Sequence, residues 1–197
     1  MAITNGYATL AEVKAVLRLT DSTDDALLED TIEGASRRID GYCGRFFYQT
    51  AAVLNLYPYN EYLLTFPDAA SITYIKTDDN GDGVYETTWT ANTDYQLEPL
   101  DRALESRPIY QVTAIGAKRF PLFAQPYTPG AQISATFGWS AVPNDVREAC
   151  YLLSIRGFAR YNAALGVIGF NDMAIQVRAI DPDVRDLLSP YRKLGVA

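Results

Sequence analysis

Residues 143–161 read PNDVREACYLLSIRGFARY, and this stretch decides the fold. Pro143 suits the first position of a helix, where a missing N–H costs nothing. Asn144 and Asp145 follow at the positive end of the helix dipole. At about 100° per residue, Val146, Cys150, Leu153, Gly157 and Tyr161 fall on one stripe. Tyr151, Ile155 and Phe158 fall on a second stripe roughly opposite. A helix at the surface of a monomer shows one apolar stripe, whereas one that is apolar on two sides is usually buried. Either both stripes belong to the chain's own core, or the second packs on another copy. On the second reading Tyr151, Ile155 and Phe158 are subunit-interface residues.

Upstream, Thr9 and Glu12 in T-L-A-E form a capping-box pattern ahead of a short helix carrying Val13, Val16 and Leu17. Ser22 or Thr23 is expected to cap a longer second helix. There Leu28, Ile32, Ala35, Ile39 and Tyr42 recur at alternating steps of four and three. Its acids (Asp24, Asp25, Glu29, Asp30) come early and its bases (Arg37, Arg38, Arg45) late, as the helix dipole favours. Glu33 and Arg37 are spaced to pair, and Gly44 is a natural stop.

From Tyr48 to Phe137 the periodicity changes to alternation. Strands are expected at 53–57, 62–66, 72–76, 84–89, 95–97, 109–117 and 132–137, separated by turns at Pro58, Asn60, Pro67, Asp78–Gly83 and Pro129–Gly130. The fold class is therefore α+β. A helical bundle body comes from both chain ends (1–48 and 138–197), with an antiparallel β module (49–137) inserted between them.

Beyond the long helix, Asn162–Ile180 is rich in glycine and apolar residues without helical spacing. It is expected to be a mobile loop, or a segment ordered by a neighbouring chain, for instance by adding to a sheet edge; Ile168 and Phe170 then join the subunit interface. Asp181 and Pro182 open a last short helix, DPDVRDLLSPYRK, which Pro190 limits.

The chain has 197 residues, with 17 Lys and Arg against 24 Asp and Glu, a formal charge of −7. Such a balance repels phosphate backbones and argues against sequence-specific nucleic-acid binding. No signal peptide opens the sequence and no apolar run approaches membrane-spanning length, so a soluble protein without membrane contact is expected. Cys43 and Cys150 belong to no CxxC motif and are expected to be small buried apolar residues in a reducing compartment. There is no histidine, which removes the commonest general base and metal ligand. No phosphate loop or nucleophile motif appears, so no enzyme and no cofactor is expected. A carboxylate-based hydrolase would need two convergent acids that the sequence does not single out. Tyrosine, at 14 residues, fits either a protein interface or an ordinary sheet surface.

One loop carries ligand chemistry. Asp78, Asn80 and Asp82 before Gly83 match the first half of a calcium loop, in which short oxygen ligands alternate and glycine permits the bend. Trp89, however, stands where an EF-hand needs its bidentate glutamate, and the flanks are strands. A turn held by its own Asp and Asn side chains is the expectation, and a calcium-dependent protein-binding module is the alternative.

The patterns YATLAEVKAVLRL and DDALLEDTIEGASRRIDGYCGRFFY resemble the tailed-phage head–tail connector (adaptor, or head-completion) proteins, as do TFGWSAVPNDVREACYLLSIRGFARY and the terminal DPDVRDLLSPYRK. The likeness covers about Tyr7–Tyr48 and Phe137–Lys193. It implies a virion structural protein, assembled in the host cytoplasm and resident at the head–tail interface. It implies a homo-oligomeric ring, usually of twelve copies, under the portal protein. The ring would extend the channel through which DNA passes and dock a stopper or tail-completion protein. It also implies portal anchoring through the C-terminal segment, hence Leu187, Leu188, Tyr191, Arg192 and Lys193 as portal contacts.

Overall fold

A computed structural model describes residues 3–123, 128–162, 167–170, 173–176 and 182–193, with no side-chain account of 162, 167–170 and 173–176. The chain divides into two compact units, residues 1–47 with 142–197, and residues 48–141. The first is helical, apart from one small hairpin, and the second is built on an antiparallel sheet. Among the described residues no helix is long and apolar enough to cross a membrane.

In the helical unit, α1 (Leu10–Leu17) starts at the expected capping box. The Glu12 N–H donates to Thr9 Oγ1 (3.3 Å), and Glu12 Oε2 accepts the Thr9 N–H (2.8 Å). Val13 is buried, while Val16 is exposed, because one short helix presents only one face inward. Helix α2 (Asp25–Cys43) follows, with Leu28, Ile32, Ala35, Ile39 and Cys43 all buried. Its N-cap is Asp24, not Ser22 or Thr23. The cap makes no side-chain hydrogen bond, and Asp21 instead accepts the Thr23 N–H at 3.0 Å within the preceding turn. Gly44 ends the helix in the left-handed conformation, φ 65°.

Helix α4 (Asn144–Asn162) lies against α2. Pro143 sits just outside the helix, its carbonyl accepting the Arg147 N–H at 3.0 Å, so the helix starts one residue later than the sequence suggests. The first stripe holds for Val146, Cys150 and Leu153, which are buried, and breaks at Tyr161, which is 68% exposed. At Gly157 a Cβ would stand 3.2 Å from Thr31 Cγ2, so this glycine permits the close approach of the two helices. Between them, Ser36 Oγ and Cys150 Sγ are 3.5 Å apart, and Ser154 Oγ donates to the Cys150 carbonyl at 2.7 Å. Both cysteines are free and buried, and burial pushes the Cys43 thiol up to about 11.

Tyr7 locks the N-terminal arm to this pair. Its hydroxyl donates to Asp40 Oδ1 and accepts the Phe47 N–H at 2.8 Å, while its own N–H donates to Ser36 Oγ at 3.0 Å. Its ring meets Phe47 edge-on at 5.5 Å. Burial raises the pKa of both the Tyr7 hydroxyl and the Asp40 carboxyl.

In the second unit the strands are β1 (Thr50–Leu56), β2 (Leu63–Thr77), β3 (Thr87–Trp89), β4 (Tyr95–Glu98), β5 (Ile109–Ala114) and β6 (Ala131–Phe137). The order is β1-β6-β2-β5-β4, with β3 on the same edge of β2 as β5. A short helix, α3 (Arg102–Glu105), lies between β4 and β5 and was not anticipated.

Two strands separated by a turn at Pro67 were expected; the structure has one 15-residue strand. Pro67 falls where the β2–β5 register shifts between Thr65 and Ala69, and such an irregularity tolerates a residue that cannot donate to the ladder. The next residue, Asp68, is buried and accepts the Trp139 indole N–H at 3.1 Å, and its carbonyl accepts the Gly138 N–H at 2.6 Å. Alternation along β6 buries Ala131, Ile133, Ala135 and Phe137. Trp89 stacks on Phe120 at 4.4 Å.

Because the Tyr7 hydroxyl bonds both the buried Phe47 backbone and the half-buried Asp40, Tyr7→Phe removes one hydrogen bond from each. It is expected to cost about 1–3 kcal/mol in chemical denaturation. A change within 0.3 kcal/mol, roughly the error of the method, would mean that the hydroxyl is dispensable.

Candidate interaction surfaces

The residues that the sequence marks as candidate contact or ligand sites fall in three places. The first is the C-terminal helix α5 (Pro182–Leu188), which continues into a 3-10 turn, Ser189–Tyr191, at Pro190. Val184 and Leu188 are buried and hold α5 to the helical unit. The Tyr191 ring meets Phe47 edge-on at 5.8 Å, and its hydroxyl donates to Asp145 Oδ2 at 3.1 Å. Burial and the Asp145 carboxylate push that hydroxyl up to about 12. The Lys193 N–H donates to the Cys43 carbonyl at 2.8 Å, and the Arg192 guanidinium lies 5.7 Å from the Tyr42 ring centre.

The five residues marked for portal contact therefore split by direction. Leu188 is committed inward and Tyr191 is half-buried. Leu187 is half-exposed, and Arg192 and Lys193 are exposed. With Leu152 and Pro190, Leu187 lines a groove of about 530 Å³ between α4 and α5, alongside Asp145, Glu148, Asp183 and Asp186.

The second place is the outer stripe of α4. Phe158 is buried at 9% exposure, while Tyr151 and Ile155 are half-buried. Tyr151 stands beside Glu12, and its hydroxyl is raised by burial and by that carboxylate. Ile168 and Phe170 belong to a hairpin, β7 (Val167–Phe170) with β8 (Met173–Gln176), whose side chains lie outside the described residues. Of the stretch from Asn162 to Ile180, the parts at 163–166, 171–172 and 177–180 also lie outside them, as does Asp181.

The third is the Asp78–Gly83 loop. Asp78 is fully buried, and its carboxylate accepts the N–H groups of Asn80 (3.3 Å), Gly81 (2.6 Å) and Gly83 (2.8 Å). Asn80 Oδ1 accepts the Asp82 N–H at 2.9 Å, and its amide donates to Asp82 and Glu86 at 3.1 and 3.2 Å. One carboxylate oxygen each from Asp78, Asp82 and Glu86 falls within 4.8 Å of the others, so Glu86 is the acid that the sequence spacing missed. The Asp78 oxygens are engaged by backbone donors, and the loop is a turn organised around one buried carboxylate.

The helices and first strands match a known family: residues 7–73 fit the phage gp6-like head-tail connector proteins. Over that span, about a third of the chain, the sequence is similar to that family. The match spans α1, α2, β1 and most of β2, whereas the C-terminal half of the resemblance lies beyond it.

Among solved structures, the chain is similar to one in the neck of an empty gene transfer agent (GTA) particle computed with C6 symmetry. That pair has a TM-score of 0.60 and 22% identity, covering 100% of this chain and 95% of that one. A chain in the neck of a native GTA particle computed with C12 symmetry gives 0.59 and 24%, covering 100% and 94%. A chain of the native GTA virion gives 0.56 and 24%, covering 100% and 95%. The fold shared with these chains thus extends over both units, well beyond the span of the family match. No curated protein matches the chain.

Asp78→Ala is expected to lower stability by about 1–3 kcal/mol, because the N–H groups of the turn lose their acceptor. Calorimetric titration of the native protein with calcium should give no heat at millimolar metal. Saturable heat that vanishes in Asp78→Ala would establish a cation site instead.

Proposed function

We propose that the protein is a non-enzymatic virion component, a head–tail adaptor that forms a ring, dodecameric in the manner of such connectors, beneath the portal protein. The ring extends the DNA channel and offers its far side to a stopper or tail-completion protein. The chain is made in the host cytoplasm and ends at the head–tail interface. What carries this reading is the coincidence of a connector family match over residues 7–73 with a fold shared along the full chain with neck proteins of a phage-like particle. The formal charge of −7 suits a channel wall, since it repels the passing phosphate backbone.

Portal anchoring is assigned to the outward side of the C-terminal segment, Leu187, Arg192 and Lys193. Leu188 and Tyr191 support that side from within by fixing α5 and the 3-10 turn to the body. Each contact is weak alone: burying one leucine contributes about 1.5–3 kcal/mol. Repetition around a ring raises the combined affinity through effective concentration.

Removing residues 181–197 is a poor test, because Val184 and Leu188 fill the core. Outward substitutions leave the core intact. The triple variant Leu187→Asp, Arg192→Glu, Lys193→Glu is expected to keep the native melting temperature and to co-sediment with the cognate portal at least about tenfold less well. Co-sedimentation equal to the native protein's would remove the tail from the portal contact.

A further inference from the structure

Among the described residues, strand β1 is a sheet edge without the usual protection. On one side it pairs with β6 in seven consecutive pairs, Thr50↔Phe137 to Leu56↔Ala131, with no register shift. On its other side it pairs with no described strand. Its sequence, TAAVLNL, has no charge and no proline. Edge strands in soluble proteins are normally blunted by lysine, proline, a bulge or shortness, because a straight, bare edge templates another strand. None of the seven residues is fully buried, and Val53 is 53% exposed.

The chain also holds a segment with the opposite need. Strands β7 and β8, four residues each, pair with each other and with no other described strand. A hairpin this small is marginal in water; it needs a third strand or a face to pack against. Its eight paired residues carry no charge, and five of them are Val167, Ile168, Phe170, Met173 and Ile175. A four-residue strand is roughly 13 Å long and fits within the roughly 23 Å of β1.

We infer that the β7–β8 hairpin of one copy adds to the free β1 edge of the next copy, extending that copy's sheet across the subunit boundary. This rests on the ring-forming reading above and names the surfaces that close it. Donor and acceptor are different parts of the same chain, so the contact is heterologous. Such a contact repeats head to tail and closes into a ring when the rotation allows. Backbone hydrogen bonds supply the affinity of strand addition, and the apolar hairpin residues add burial. A second copy is the occupant because one chain carries both a hairpin and an edge that lack a further partner strand among the described residues, neither of them charged.

Cysteine pairing tests this directly. The native cysteines are both buried, so background oxidation is low. Double variants combining Ala51→Cys, Val53→Cys or Asn55→Cys with Ile168→Cys or Ala174→Cys sample the possible registers. The full-length protein is oxidised alone and on the cognate portal. At least one pair should give a ladder of covalent multimers in denaturing gels, with none from the single variants.

Separately, Ala51→Lys with Val53→Lys places charge on exposed β1 positions. It should keep the melting temperature and weaken self-association at least about tenfold by analytical ultracentrifugation. Multimers that assemble normally with the lysines and give no inter-chain disulfide would overturn the strand addition and leave the ring reading standing. So would disulfides confined to single chains. A chain that stays monomeric at every concentration, both alone and with portal, would overturn the ring reading and the strand addition together.

Discussion

The helical unit depends on the contact between α2 and α4, segments separated by the whole β unit in sequence. That contact is tight because Gly157 lets α4 approach Thr31, and because its polar centre (Ser36, Cys150 and Ser154) is satisfied internally. A buried hydroxyl without a partner would cost more than such a contact gains. Ser36 Oγ donates to the Ile32 carbonyl and accepts the Tyr7 N–H, so the same residue that fills the helix interface also fixes the N-terminal arm. From Tyr7 the network runs to Asp40 and Phe47, and from Phe47 to Tyr191 at the C-terminus. Both ends of the helical unit's sequence are thus tied to one helix pair.

That arrangement bears on what the surface has left to offer. Val184 and Leu188 close the body, so residues 182–193 form a fixed surface on which Leu187, Arg192 and Lys193 face away from the core. In the sheet unit, burial is concentrated on β6 and β2, and β1 is left half-covered on one face and open on the other. Among the described residues, apolar surface and a strand edge without a partner strand remain at defined places, as the proposed ring subunit requires.

Much of this was legible in the sequence where one local rule governs. The capping box at Thr9 and Glu12, the heptad-like spacing of α2, the glycine stop at Gly44 and the alternation of β6 each depend on near neighbours. The Asp78 turn was legible as a turn for the same reason. Reading failed where distant partners decide. Pro67 looks like a strand end, but β5 and the register shift carry β2 through it. Leu188 and Leu187 are adjacent leucines on one helix, and only the position of α5 on the body sends one inward and the other out. Glu86 joins the acidic cluster through the fold of the loop, beyond the alternating spacing that suggested Asp78, Asn80 and Asp82. Tyr161 continues the helical period but lies past the end of the core it would have joined.

The central claim is that this chain is a ring-forming adaptor seated on a portal. A cryo-electron microscopy reconstruction of the full-length protein mixed with its cognate portal tests that claim most directly. The account predicts a ring of copies coaxial with the portal, with the face carrying Leu187, Arg192 and Lys193 turned toward it and an open channel along the axis. Portal particles without added density, beside a protein that remains monomeric in the same mixture, would contradict it.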